Sequence, residues 1–403
     1  MELADWADLF ILSLWHHKWS VTEANERLSE IQGLLELSIQ KSSCEQDTHK
    51  DRLFVYMKGH GKLPLSASAI GVRSFDFLGL GYHVDWPLSI VLTPAALKIY
   101  ADIFSFLIQV KLAIFSLTNV WCSLKKVCTY ILNYTVLYPN FASVAQNYLN
   151  SGFPKESKDF WLCKLLWNLF SFNFGEQDLV HTTKKDLNSE VHRLETGHLN
   201  ILMKTRHQIS HFVSTLQQYV ESQLSHVSWF RFLHSLEHKV KDMMDLESVH
   251  MEYLADSLCI CFLSDETKAV GSIIESILQC ALDFRSCITI GAWDFGSDPE
   301  DLFGKLSRIN ISQVLSIKQK FDRSLKELHI CYIKEPKHRN FGLSRFWEYL
   351  NYNEYYSNVS NETGRTIECG RSAFGRFWQF MRARNISIDF IFDEGNCTMK
   401  KQK

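Results

Sequence analysis

"GYHVDWPLSIVLTPAALKIY", residues 81–100, decides how the rest of the chain is read. Trp86 precedes Pro87, which biases Trp86 toward extended backbone and removes one backbone donor. Thr93 is a good N-cap and Pro94 suits a first helical turn, so a helix is predicted to start there. From Pro94 onward Tyr100, Phe104, Leu107, Leu117, Trp121 and Leu124 recur on one broad face. A corner built from Tyr82, Trp86 and Pro87 therefore sets the direction in which a long helix leaves. Trp86 is expected to fill a core pocket, so that Trp86→Ala would cost about 3–5 kcal/mol. The polar neighbours His83 and Asp85 then face outward as contact candidates.

The same period recurs downstream of that helix. Ile209, Phe212, Leu216, Tyr219 and Val220 mark one face, and Leu246, Val249, Tyr253, Leu258 and Cys261 another. Ile273, Ile277, Ala281, Phe284 and Ile288 mark a third, and Val314, Ile317, Phe321, Leu325, Leu328 and Tyr332 a fourth. Each is wide enough to bury against neighbouring helices, which predicts an all-α helical bundle. Upstream, residues 1–40 read as helical, with Gly33 the weak point. The alternation in "RLFVYM" (52–57) reads as a short strand. "SFDFLGLGYHV" (74–84) is its candidate partner in a small β-hairpin, weakened by Gly79 and Gly81. Residues 140–195 read as a long insertion carrying the apolar run "FWLCKLLWNLFSF". Residues 357–403 lose periodicity and read as a poorly ordered tail.

Composition narrows the function classes. Of 403 residues, 46% are apolar and 13% aromatic, which argues against disorder. The 43 basic and 45 acidic residues leave a net charge of −2, with no basic field to drive nucleic-acid binding. Of the eleven cysteines, Cys122, Cys128, Cys259, Cys261, Cys280 and Cys287 fall in apolar helical patterns, and the set reads as reduced, buried thiols. "MELADWADLF" lacks the basic start of a signal peptide. Lys98, Asp102 and Lys111 interrupt the most apolar stretch, so no membrane insertion is expected and the chain reads as soluble and cytosolic.

Catalytic constellations are not found. "GHGK" (59–62) lacks the phosphate-loop frame, and neither G-x-G-x-x-G nor G-x-S-x-G occurs. His207 and His211 in "RHQISHF", and His234 and His238 in "HSLEH", have i, i+4 spacing that can hold zinc. Neither pair has a glutamate beside its first histidine, so both read as helix-surface or packing residues. No metal, no cofactor and no enzymatic activity are expected.

Four segments together carry a resemblance. The first is "SFDFLGLGYHVDWPLSIVLTPAALKIYADIFSFLIQVKLAIFSLTNVW" (74–121), with a Y-x-V-x-W-P-L corner, a T-P helix start and a Y…F-x-F-L face. "ISHFVSTLQQYVESQLSHVSW" (209–229) is the second. "DLESVHMEYLADSLCICFL" (245–263) supplies His250, Tyr253 and Leu254. "LSRFWEYLNYNEYYSN" (343–358) supplies the closing Asn351, Tyr352, Asn353, Tyr355 and Tyr356. In this order they resemble the C-terminal region of the gamma-tubulin complex components, among which the five- and six-type look most similar. "LLELSIQKSS" (34–43) is similar to the last helix of that family's N-terminal half.

The resemblance implies a helical, non-enzymatic scaffold that binds gamma-tubulin and sits beside other gamma-tubulin complex components. Its implied setting is microtubule nucleation, in the cytoplasm and cytoskeleton at the microtubule-organising centre. It implies residues 1–60 as the end of the N-terminal half and its link, and 61–356 as the gamma-tubulin-binding domain. Because most of the family's lateral-contact half is not matched, a monomer that does not build rings is expected. Candidate interface residues are His83, Asp85, Asn351, Asn353, Tyr355 and Tyr356; the closing motif is equally compatible with a role in closing the bundle. The alternative is a generic helical scaffold or tether without a tubulin partner.

Overall fold

The computed structural model describes residues 5–17, 24–58, 70–135, 186–289, 309–334, 342–352 and 356. They are mostly α-helical, with one two-stranded antiparallel sheet. The chain divides into two compact units, Met1–Leu124 with Ile201–Leu350, and Lys125–Asn200 with Asn351–Lys403. Most of the insertion expected at 140–195, and the tail at 357–403, lie outside the described residues. Residues 186–195 begin a helix.

In the first unit, the expected N-terminal helix is two helices, α1 (Asp5–His16) and α2 (Ala24–Gln40), and Gly33 does not interrupt the second. The first places Asp5 and Asp8 in its opening turn, where acids complement the helix dipole. Phe10, Ile11, Leu14 and Trp15 form its buried face, and Ile31, Leu35 and Ile39 that of α2. Strands β1 (Leu53–Met57) and β2 (Leu78–Tyr82) pair in the register Leu53↔Tyr82 to Met57↔Leu78. Here the expectation about the glycines is corrected. Gly79 lies opposite Tyr56 and Gly81 opposite Phe54, and a methyl group at either would overlap the facing ring. The glycines leave room for two aromatic rings to lie across the sheet, so they hold this hairpin rather than weaken it.

Helix α3 (Pro94–Thr135) starts at the predicted place, with Thr93 Oγ1 accepting from the Ala96 N–H at 3.2 Å. Lys58, just past β1, donates to the Ala101 carbonyl (2.9 Å), the Asp102 carboxylate (3.2 Å) and Ser105 Oγ (2.9 Å), pinning the hairpin to this helix. Lys111 pairs with Asp8 of α1 at 2.8 Å, and Phe104 stacks on Phe10. By length and composition, Pro94–Leu124 is apolar enough to cross a bilayer, contrary to the sequence expectation. The interrupting charges are too sparse to change its average. In this structure 56% of its most apolar window is buried inside the protein.

Five more helices follow: α4 (Asp186–Ser222), α5 (Trp229–Lys239), α6 (Met243–Ile260), α7 (Lys268–Thr289) and α8 (Ile311–Lys334). A wider π-helical turn, Gln223–Ser228, joins α4 to α5. It buries Gln223 and Ser228 and turns Val227 and Trp229 outward. Asp242 caps α6 by accepting from the Met244 and Asp245 N–H groups, both at 2.9 Å. The short α9 (Leu343–Leu350) closes on α8, where Trp347 stacks with His329 and Tyr332 at 4.9 and 5.2 Å.

Phe212, Tyr219, Phe262, Phe321 and Phe346, from three helices and the end of α6, make a fully buried aromatic cluster. Phe346 meets Phe212 edge to face at 5.5 Å and Tyr219 at 5.4 Å. Cys44, Cys122, Cys259, Cys261, Cys280, Cys287 and Cys331 are free thiols. Burial raises the Cys261 and Cys280 thiols above their ordinary range, the latter to about 11, so both stay protonated and unreactive.

Candidate partner interface

The corner is built from its backbone outward. β2 ends at Tyr82, and the His83 N–H donates to the Arg52 carbonyl at 2.9 Å, which extends the pairing by one rung. The His83 ring stacks on Phe54 with centroids 4.3 Å apart. Arg52 reaches back with Nη2 2.7 Å from Asp85 Oδ2. Trp86–Pro87 is a cis peptide, and a single 3-10 turn, Leu88–Ile90, leads to the Thr93 cap. His83 and Asp85 are exposed, as expected, but each also supports the corner from below.

Trp86 departs from the expectation. It fills no pocket and is 81% exposed, with Leu88 at 53% and Ile90 at 38%. The reason is positional. Tyr82 and Val84 are half-buried, whereas every residue from Asp85 to Ile90 is exposed. Three large apolar side chains thus stand in water on a short, braced turn. Exposed apolar side chains grouped in this way make the turn a candidate contact surface.

Next to the corner, a buried histidine and a partly exposed tyrosine join two helices. Tyr100, on the second turn of α3, hydrogen-bonds His250 Nε2 of α6 at 2.9 Å, and the two rings stack at 5.9 Å. Burial pushes the Tyr100 hydroxyl up to about 12 and lowers the His250 imidazole, so both are neutral near neutrality. Phe232 of α5 packs edge-on to His250, and Tyr253 packs against both Trp229 and Phe232. Close by in sequence Trp229, Phe230, Met243 and Met244 are exposed at the start of α5 and of α6.

Elsewhere in the bundle, the Tyr219 hydroxyl bridges both backbone groups of Gly342. It accepts from the Gly342 N–H at 3.1 Å and donates to the carbonyl at 3.3 Å. The Tyr349 hydroxyl accepts from Gln223 Nε2 and shares a hydrogen bond with Ser222 Oγ, which ties α9 to the π-helical turn. The segments singled out in the sequence are therefore packing partners: the first meets the third through Tyr100–His250, and the second meets the fourth through Tyr219–Phe346.

The closing candidates belong to the other unit. Asn351 Oδ1 accepts from the Tyr356 N–H at 2.8 Å, a local turn-closing bond, and Tyr352 is exposed. Asn353 and Tyr355 lie outside the described residues. Among the described residues, no group of three or more His, Cys, Asp or Glu side chains is placed to hold a metal. A polar cleft of about 580 Å³ between Arg73, Ser272, Glu275, Gln279 and Lys320 has its charges internally matched. Arg73 pairs with Glu275 there, and Lys320 lies 3.7 Å from Asp283. What sequence reasoning missed was the exposure of Trp86. The only signal for it was that Trp86 lies outside any periodic face.

The chain is similar to several known proteins. It is 28% identical to gamma-tubulin complex component 6 of Mus musculus over 222 residues, 55% of this chain and 9% of that protein. It is 26% identical to component 5 of Macaca fascicularis over 214 residues, 53% of this chain and 24% of that protein. It is 24% identical to component 3 of Arabidopsis thaliana over 259 residues, 64% of this chain and 24% of that protein. In each case the matched stretch is less than a quarter of the relative's length. A family model for the gamma tubulin complex component C-terminal region matches residues 1–149 and 161–356, most of the chain, which therefore belongs to that family.

Proposed function

We propose that this chain is a gamma-tubulin-binding scaffold component of the gamma-tubulin complex that acts in microtubule nucleation, with other complex components as its neighbours. The single observation that carries the contact surface is the exposed Trp86, Leu88 and Ile90 on a turn braced by Arg52–Asp85 and His83–Phe54. A buried indole typically dominates a protein interface, and a pre-formed turn loses little entropy on binding. The mechanism is positional. A rigid bundle holds its partner at a fixed angle, and no bond is made or broken. The setting that goes with this reading is the cytoplasm and cytoskeleton, at a microtubule-organising centre, without nucleic acid and without insertion into a membrane.

The test is binding of the purified chain to purified gamma-tubulin, followed by calorimetry and light scattering. A one-to-one complex is expected, with Trp86→Ala weakening it at least about tenfold. A folded chain that gives no complex would favour the alternative, a helical scaffold without a tubulin partner. A complex untouched by Trp86→Ala and Leu88→Ala would move the contact away from the corner.

A further inference from the structure

The two i, i+4 histidine pairs separate in the structure. His211 of α4 is partly buried, and burial, with a smaller contribution from His207, pushes it down to about 4. His234 and His238 both stand exposed on the outer face of α5. Their ring centroids are 4.1 Å apart with planes inclined by 35°. His238 Nδ1 lies 2.9 Å from the His234 carbonyl oxygen. A carbonyl only accepts, so the Nδ1–H is the donor and Nε2 keeps its lone pair. That is how ligating histidines are held: one ring nitrogen donates to a fixed acceptor, which sets the tautomer and aims the other nitrogen at the metal.

Two further features favour a cation at this place. The pair lies in the last turns of an eleven-residue helix, whose C-terminal end carries partial negative charge. The nearby cationic side chains are already engaged by acids, Arg231 with Asp256 at 2.9 Å and Lys239 with Glu252 at 3.6 Å. Between the histidines "HSLEH" also carries Glu237, giving the inverted H-x-x-E-H order. Searching only for a glutamate beside the first histidine passes over that order.

We infer that His234 and His238 form a two-ligand, solvent-open site for a divalent cation of the zinc, nickel or copper class, which imidazole nitrogens suit. No third ligand joins them among the described residues. The remaining coordination positions go to water or to a carboxylate or imidazole brought by a partner, and no hydrolytic step follows.

The test uses the full chain, stripped with a chelator and titrated with zinc, with carbethoxylation of each histidine mapped by peptide mass spectrometry. This readout separates imidazole ligation from zinc taken up by cysteines. Zinc is expected to protect His234 and His238 in parallel, at least tenfold more than it protects the exposed His226 of the π-helical turn. His234→Gln, with circular dichroism unchanged, is expected to return His238 to its metal-free rate. Equal modification rates with and without zinc would overturn the site, and so would full protection of His238 in His234→Gln.

Discussion

The aromatic cluster around Tyr219 and Phe346 and the corner around Trp86 use the same kind of residue for opposite ends. In the cluster five rings from distant segments meet edge to face or tilted, and all are buried. At the corner one indole is held out in solvent by a hydrogen-bonded and ion-paired base. The first arrangement makes the bundle a single solution of the sequence. The second leaves a surface unfinished. An aromatic residue thus reports structure only together with its surroundings. A ring on a helical period belongs to the core, while a ring beside a proline with no period to place it is free to face outward.

The comparison can be broken most forcefully from the core side. Phe346→Ala should cost about 3–5 kcal/mol in chemical denaturation, because the rings of Phe212, Tyr219 and Phe262 around it cannot collapse into the space it leaves. A loss below about 1 kcal/mol, within the range of surface changes, would remove the cluster from the core. Next in size, Gly79→Val should cost about 1–3 kcal/mol, because the new side chain and the Tyr56 ring claim one place. Tyr219→Phe should cost a similar or smaller amount, about 1–2 kcal/mol, by leaving the buried Gly342 N–H without its acceptor.

A pH measurement sharpens the link between the two regions. His250 has its imidazole lowered by burial, so below its ordinary value near 6.5 the unfolded chain takes up a proton that the folded chain refuses. Stability is therefore full above about pH 6.5 and falls as the pH drops below it, by at most ~1.4 kcal/mol per pH unit for this one group. His250→Gln should show a shallower fall between pH 6.5 and 5 than the parent; equal slopes would clear His250 of the effect. The smallest effect on stability belongs to Trp86→Ala, which should stay within about 0.5 kcal/mol of the parent. A loss of 3 kcal/mol there would restore the buried reading of the corner.

Much of the fold was legible because helical faces repeat. The predicted start of α3 at Pro94, the four later periodic segments and the short strand at Leu53–Met57 all rest on local chemistry that acts within one or two turns. Family membership was legible from the order of four segments. Less legible were features that depend on what lies opposite. Gly79 and Gly81 read as weak strand residues until Tyr56 and Phe54 were found across from them. Trp86 read as a core residue because its partner-free surroundings have no local signature. The π-helical turn at Gln223–Ser228 sits inside an unbroken helical pattern, so periodicity carries through it without a mark. The orientation of His238 depends on a carbonyl one turn earlier, which spacing alone cannot aim.

The Tyr219 bridge to Gly342 also has a consequence in time. Its two ends are separated by 123 residues, and the Tyr100–His250 bond by 150. At a synthesis rate of ~5–20 residues per second, a ribosome needs about 6–25 s to deliver Gly342 after Tyr219. Throughout that interval Phe212 and Tyr219 have no Phe346 to cover them. The nascent helices are then at their stickiest, and a chaperone that shields α4 until α9 emerges would set the yield of folded protein.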